Sequence, residues 1–210
     1  MIELFYSPTP NGRKVSIMLE ETKISYKITH IDLSKGEQFK PEFLKLNSYG
    51  KIPVIIDHEK NLVLIESGAI LIYLAKKNKQ FLPQDNETRI FEWLMFQVGN
   101  AGPMLGQHHH FHHFNPGKSK YAENHFFKNS IRVYEALNNI LGKNNYLAGK
   151  DYSIADIATF PWVARHEWHD IGLKKYKHLS RWYKFISNRR AVIKGYDCLN
   201  TGEKIPKIKL

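Results

Sequence analysis

Ile2-Glu3-Leu4-Phe5-Tyr6-Ser7-Pro8-Thr9-Pro10-Asn11-Gly12 is the stretch that decides how this chain begins to fold. Its apolar opening makes a short strand, and the dense cluster of turn formers from Ser7 to Gly12 ends that strand at once. Over residues 13–22, Val15, Met18, Leu19 and Thr22 recur at the spacing of one helical face. The unit is strand, loop, helix, and the loop is where chemistry can be placed.

Outward from it, residues 26–32 make a second strand, 40–46 a short helical or irregular piece, 52–57 a third strand and 62–65 a fourth, joined to the third by a polar turn at 58–61. Pro53 stands at the start of the third strand, where proline costs no ladder hydrogen bond and is often cis. Glu66-Ser67-Gly68 opens an apolar helix at 69–77. Beyond a linker at 81–87, with Pro83 and Asp85-Asn86, the pattern turns helical: 88–98, 121–141 and 153–162. The last of these is announced by Ser153-Ile154-Ala155-Asp156, an N-terminal capping signature. The expected organisation is an α/β domain over 1–80 and an all-α domain over 88–210, with Trp162 and Trp168 packed in the helical core.

The chain has 210 residues, 42% of them hydrophobic, enough for a full core. It has no apolar run of the roughly eighteen residues that a membrane helix requires, and Glu3 sits where a secretory leader carries basic residues. Cys198 is the single cysteine, so no disulfide framework can form within the chain. A cytoplasmic protein without membrane contact is expected. The formal net charge of +11 invites a nucleic-acid reading, but the lysines are spread along the whole chain and no basic segment is interleaved with aromatics. Nucleic acid is therefore not an expected partner, and the positive field fits the steering of a small anion.

Ser7-Pro8-Thr9-Pro10-Asn11-Gly12, Lys51-Ile52-Pro53, Glu66-Ser67-Gly68-Ala69-Ile70 and Ser153-Ile154-Ala155-Asp156 together resemble the ordered landmarks of glutathione transferases, over most of the chain. The Thr-Pro-Asn-Gly loop, Gly36-Glu37-Gln38-Phe39 and Gly102-Pro103-Met104-Leu105-Gly106-Gln107 with its histidines resemble one subgroup, the bacterial nu-class disulfide-bond oxidoreductases. The resemblance implies a thioredoxin-like N-terminal domain that binds glutathione and an all-α C-terminal domain that carries the second-substrate pocket.

Glutathione has two carboxylates, an ammonium, two peptide units and a thiol, and the residues offer a partner for each. Ser67 at a helix N-terminus supplies a hydroxyl and the positive end of the dipole for a carboxylate, and Glu66 can take the ammonium. The backbone of Ile52, ahead of Pro53, can pair with the cysteinyl unit as an added strand would. Lys51 and Gln38 are placed for the glycyl carboxylate. Each also has a plainer reading, as a cap, a solvated charge or a strand-start proline; it is their joint presence that favours the ligand site.

The loop after the first strand contains no cysteine, so the protein has no dithiol of its own there. A free thiol is only slightly ionised at neutral pH, and donors aimed at the sulfur raise the thiolate fraction. Thr9 and Asn11 are the best candidates for that role; Tyr6 and Ser7 are the rivals, Tyr6 being read as a strand residue packed beneath the loop and Ser7 as a turn former. The subgroup resemblance implies reduction of disulfides by two bound glutathiones, weak conjugating or peroxidase activity beside it, and a homodimer in which Arg132 of one subunit reaches the glutathione of the other. A conventional conjugating transferase and a non-enzymatic binding module of the same fold are the alternatives.

His108-His109-His110-Phe111-His112-His113 is dense enough in imidazole to suggest a metal. No Cys, Asp or Glu in the run completes a closed ligand set, so no metal is expected. Gln107 and His108 are instead assigned to the wall of the second-substrate pocket, as the resemblance implies.

Overall fold

The structure is a computed structural model that describes residues 1–208; residues 209 and 210, the end of the expected helical domain, lie outside the described residues. Strand β1 (Ile2–Tyr6) runs parallel to β2 (Tyr26–His30) and antiparallel to β3 (Val54–Asp57), which pairs antiparallel with β4 (Leu62–Leu64). The strand order is β2-β1-β3-β4. Helix α1 (Pro10–Thr22) begins earlier than the apolar periodicity alone suggests, because the Thr9 hydroxyl caps it and Pro10, which has no N–H to satisfy, takes the first helical position. Strand β3 begins at Val54 rather than at 52, since Pro53 has no N–H for the ladder; the Ile52–Pro53 bond is cis.

Alternation assigns the faces of this sheet. Ile2, Leu4 and Tyr6 are buried on one face, and Tyr6 lies against Gly12 of α1, where a Cβ would come 3.1 Å from its ring. Phe5 points to the other face with its register partner Val54, and both join a cluster with Ile31 and with Phe43 of the short helix α2 (Pro41–Leu44). Helix α3 (Ser67–Asn78) follows β4 and packs against α1, burying Ile70, Leu71 and Leu74.

The chain then forms a helical unit. Helix α4 (Glu87–Phe96), a π-helical turn at Gln97–Ala101, α5 (Gly102–His108) and a second π-helical turn at His109–Phe114 succeed one another directly. The helix expected over 88–98 thus runs on as helical turns from 87 to 114, and the widened turns fall on either side of the Pro103 segment. After them come α6 (Lys120–Lys143), α7 (Ile154–Val163), α8 (His166–His169) and α9 (Lys177–Ser187). The capping signature before α7 is realised in full: Ser153 Oγ accepts from Ala155 N, and Asp156 accepts from Ser153 N. Trp162 and Trp168, expected in the core, are half-buried and stack on His109 and His113; the fully buried tryptophan is Trp182, whose Nε1 donates to Asp156 at 2.8 Å.

Helix α10 (Arg190–Tyr196) departs from the expected domain range. It packs against α1, so the compact units are Met1–Gln80 with Arg190–Lys204, and Phe81–Arg189 with Ile205–Leu210. The reason lies in two contacts between α1 and α10. A Cβ on Gly195 would stand 2.6 Å from Ile17 Cα, so only glycine lets the two backbones meet, and Arg13 donates to the Tyr196 carbonyl while its guanidinium covers the Tyr196 ring at 3.8 Å.

Candidate functional site

The register of the sheet gathers three of the expected segments at one edge. Tyr6 at the end of β1 lies opposite His30, Phe5 opposite Val54 at the start of β3, and Ile55 opposite Leu64 at the end of β4. The Ser7–Thr9 loop, Ile52-Pro53 and Glu66-Ser67 therefore all emerge from the same side of the sheet, and α1 and α3 both open there with their N-termini. Two positive dipole ends make that edge a site for anions.

Thr9 Oγ1 accepts the Gly12 N–H at 3.1 Å. With its oxygen used in this way, the hydroxyl hydrogen is what Thr9 offers to an incoming group. Asn11 stands in the first turn, and both residues are half-exposed. Tyr6 and Ser7 are buried, and burial raises the Tyr6 phenol well above its ordinary range, so Tyr6 is a packing residue beneath the loop.

Glu66 precedes α3 with φ +65, a backbone conformation that a residue with a side chain seldom adopts. Such strain persists where surrounding structure enforces it, and it collects at binding sites. Ser67, the first residue of α3, is only 8% exposed. Its Oγ accepts from Lys14 Nζ at 3.2 Å. Lys14 is a residue that sequence reasoning passed over, although it stands four positions before Met18 and so inside the apolar stripe of α1.

The segment before Pro53 is built to a fixed shape. Asn47 Nδ2 donates to the Lys51 carbonyl at 2.8 Å, and Gly50 takes φ +63, with the Phe39 ring 2.9 Å from where a Cβ would stand. Gln38 is brought to the same place, its carbonyl 3.1 Å from that position. Its side-chain Oε1 is buried without a hydrogen-bond partner among the described residues. Lys51 is exposed, with Nζ 5.5 Å from the centre of the Tyr49 ring.

The expected residues of the helical unit are more scattered. Arg132 is exposed on α6 and lines a cavity of about 490 Å³ with Phe96, Asn100, Met104 and Glu135. Gln107 is exposed on α5. His108, assigned to a pocket wall, is 0% exposed: its Nε2–H donates to the His169 carbonyl at 2.8 Å and its ring stacks on His112. Helical continuation through the histidine run carries this residue into the interior, which spacing alone does not reveal. His109 and His169 face each other through their Nε2 atoms at 2.6 Å. Burial lowers the pKa of both, that of His109 to about 3, so both rings are neutral at neutral pH. Among the described residues no group of three or more His, Cys, Asp or Glu is arranged to hold a metal ion. None of the described helices is long and apolar enough to cross a membrane.

A thioredoxin-like unit whose cysteine-free loop meets a Glu-Ser helix start, followed by a helical unit, defines a protein class that sequence comparison makes definite. Residues 2–76 match the glutathione S-transferase N-terminal domain and residues 102–190 the glutathione S-transferase C-terminal domain. The chain belongs to the glutathione transferase family. It is 43% identical to the disulfide-bond oxidoreductase YfcG of Escherichia coli K12 over 198 residues, covering 91% of this chain and 92% of that protein. It is 38% identical to the disulfide-bond oxidoreductase YghU of the same organism, over 92% of this chain and 73% of that one. Among solved structures, a glutathione transferase from Burkholderia graminis with two glutathione molecules bound per subunit superposes with a TM-score of 0.90 at 39% identity, covering 96% of this chain and 89% of that one.

Proposed function

We propose that this chain is an enzyme that reduces disulfide bonds with two bound glutathione molecules. The observation that carries the reading is the loop after β1: it presents the Thr9 hydroxyl at a helix N-terminus and holds no cysteine, so the attacking thiol is the ligand's. Cys198 does not replace it, because burial raises its thiol pKa. The relatives of Escherichia coli are named disulfide-bond oxidoreductases, and the Burkholderia relative binds two glutathiones per subunit.

In this reading Ser67 takes the γ-glutamyl carboxylate and Glu66 the ammonium. The Ile52 backbone, set by Pro53, pairs with the cysteinyl unit, while Gln38 and Lys51 meet the glycyl carboxylate. Thr9 and Asn11 donate to the sulfur and hold it as thiolate. That thiolate attacks one sulfur of the substrate, forming a glutathione mixed disulfide and expelling the other sulfur as a thiolate, which takes up a proton. The second glutathione then attacks the mixed disulfide, giving glutathione disulfide and the second free thiol. Two electrons pass from two glutathiones to one disulfide. Arg132 serves the site of a second subunit, which makes the active form a homodimer, and Gln107 stands at the second-substrate pocket. A small or protein-bound disulfide in the cytoplasm is the substrate class.

Calorimetric titration with glutathione, together with turnover of 2-hydroxyethyl disulfide, tests this. Two glutathiones per subunit with disulfide turnover well above background are expected. One glutathione per subunit, background disulfide turnover and rapid conjugation of an aryl halide would instead identify a conventional transferase.

A further inference from the structure

Lys14 lies on the buried face of α1, 2% exposed, in a helix that otherwise buries Val15, Ile17, Met18 and Leu19 around it. An ammonium in such a place costs several kcal/mol of desolvation unless it is compensated, and a leucine or methionine would pack α1 against α3 at no such cost. The charge is under visible pressure. Burial pushes the Lys14 pKa down to about 7 against the opposing Glu66 carboxylate, so the ammonium is the form that predominates below pH 7.

What the ammonium touches gives it a task. An ammonium only donates, and a hydroxyl carries a single hydrogen. Because Lys14 Nζ donates to Ser67 Oγ at 3.2 Å, the lone pair facing the interior is occupied and the Ser67 hydrogen is turned toward another acceptor. Ser67 is the first residue of α3, so that hydrogen, the first-turn amides and the Lys14 charge act together at the helix N-terminus.

We propose that Lys14 is a positioning residue for the anionic end of glutathione: it fixes Ser67 as an outward donor and sets a buried positive charge behind it, so that this subsite selects a carboxylate over a neutral group. The inference rests on the reading that Glu66-Ser67 binds the γ-glutamyl end. It goes beyond that reading in assigning carboxylate selectivity to a side chain that need not touch the ligand.

The test is a double-mutant cycle between protein and ligand. At pH 6, where Lys14 is the ammonium, wild type and Lys14→Met are titrated with glutathione and with 4-aminobutyryl-cysteinylglycine, which is glutathione without the γ-glutamyl α-carboxylate. Wild type should prefer glutathione by at least about tenfold, the scale of one charge-assisted hydrogen bond. Lys14→Met should lose most of that preference by weakening glutathione, with the truncated peptide bound within about twofold of wild type. Equal weakening of both peptides would make Lys14 merely structural and overturn the inference, and so would an unchanged preference. Lys14→Gln, which keeps a donor but no charge, is the second variant should Lys14→Met not fold. Loss of the preference in a Gln variant that melts cooperatively supports the proposal, and full retention overturns it. A wild type with no preference between the two peptides removes the Ser67 carboxylate reading itself and this inference with it. A wild-type preference that survives both substitutions removes the Lys14 role alone.

Discussion

Tyr134 Oη lies 2.6 Å from His169 Nδ1, with both residues 0% exposed, and the opposite ring nitrogen of His169 meets His109. A neutral imidazole has one donor and one acceptor, so this ring uses both and leaves nothing unpaired. Tyr134→Phe removes one partner and strands a buried ring nitrogen, which should cost about 1–3 kcal/mol. Urea unfolding of the two proteins measures the difference.

The same rings predict an acid-side loss of stability. His109 is held at about 3 and His169 well below its ordinary value, both by burial, against 6.5 for the unfolded chain. Between pH 6.5 and about 3 the unfolded chain binds protons that these two rings refuse in the native state, so their contribution to stability falls as pH drops through that window and is flat above it. Melting temperature followed from pH 8 to pH 4 should show the decline, and His109→Gln should make it shallower. An equal slope in the variant would place the acid sensitivity elsewhere.

Asp156 is 0% exposed and accepts from Ser153 N, Ser153 Oγ, Leu147 N and Trp182 Nε1. Asp156→Ala should cost about 3–5 kcal/mol, because it removes a cap and leaves two further buried donors unsatisfied. Ser153→Ala should cost only about 1 kcal/mol, the worth of the cap. Denaturation midpoints at constant m-value give both figures.

Gly195→Ala tests the contact between α1 and α10. The new Cβ would stand 2.7 Å from Ile17 N, against backbone that cannot rotate away. A loss of about 1–3 kcal/mol is expected, as for overpacked cores. Gly99→Ala, at a position where a Cβ meets nothing within 4 Å, is the matched control and should change stability little.

Thr9→Val removes both the α1 cap and the donor proposed for the thiolate. It should cost about 1 kcal/mol in stability and raise the pKa of bound glutathione thiol by about one unit, moving the rising limb of the pH–rate profile upward. Thr9→Ser should restore both. A Val variant with an unmoved pH profile would confine Thr9 to capping, and Asn11→Ala should be read in the same assay.

The sequence was sufficient wherever a local rule governs. The breaker cluster after β1, the Ser153–Asp156 capping box and the strand that follows Pro53 are written in short-range chemistry, and the structure carries all three. What the sequence left ambiguous depended on contacts distant along the chain. Periodicity placed Val15, Met18 and Leu19 inside but is silent on a lysine in the same stripe, since Lys14 becomes meaningful only when α3 brings Ser67 to its ammonium across 53 positions. The histidine run reads as the edge of a substrate pocket until α8 supplies His169 and α6 supplies Tyr134, which turn part of it into interior packing.

Residue order by itself determined the family, the α/β and helical units, and a first-strand loop that has no thiol to offer. Tertiary structure decided which charges and imidazoles are buried, and that α10 belongs with α1 rather than with the helices before it. The physical reason is that propensities and caps act over a few residues, whereas desolvation and the close approach of Gly195 to Ile17 exist only once separate segments have met.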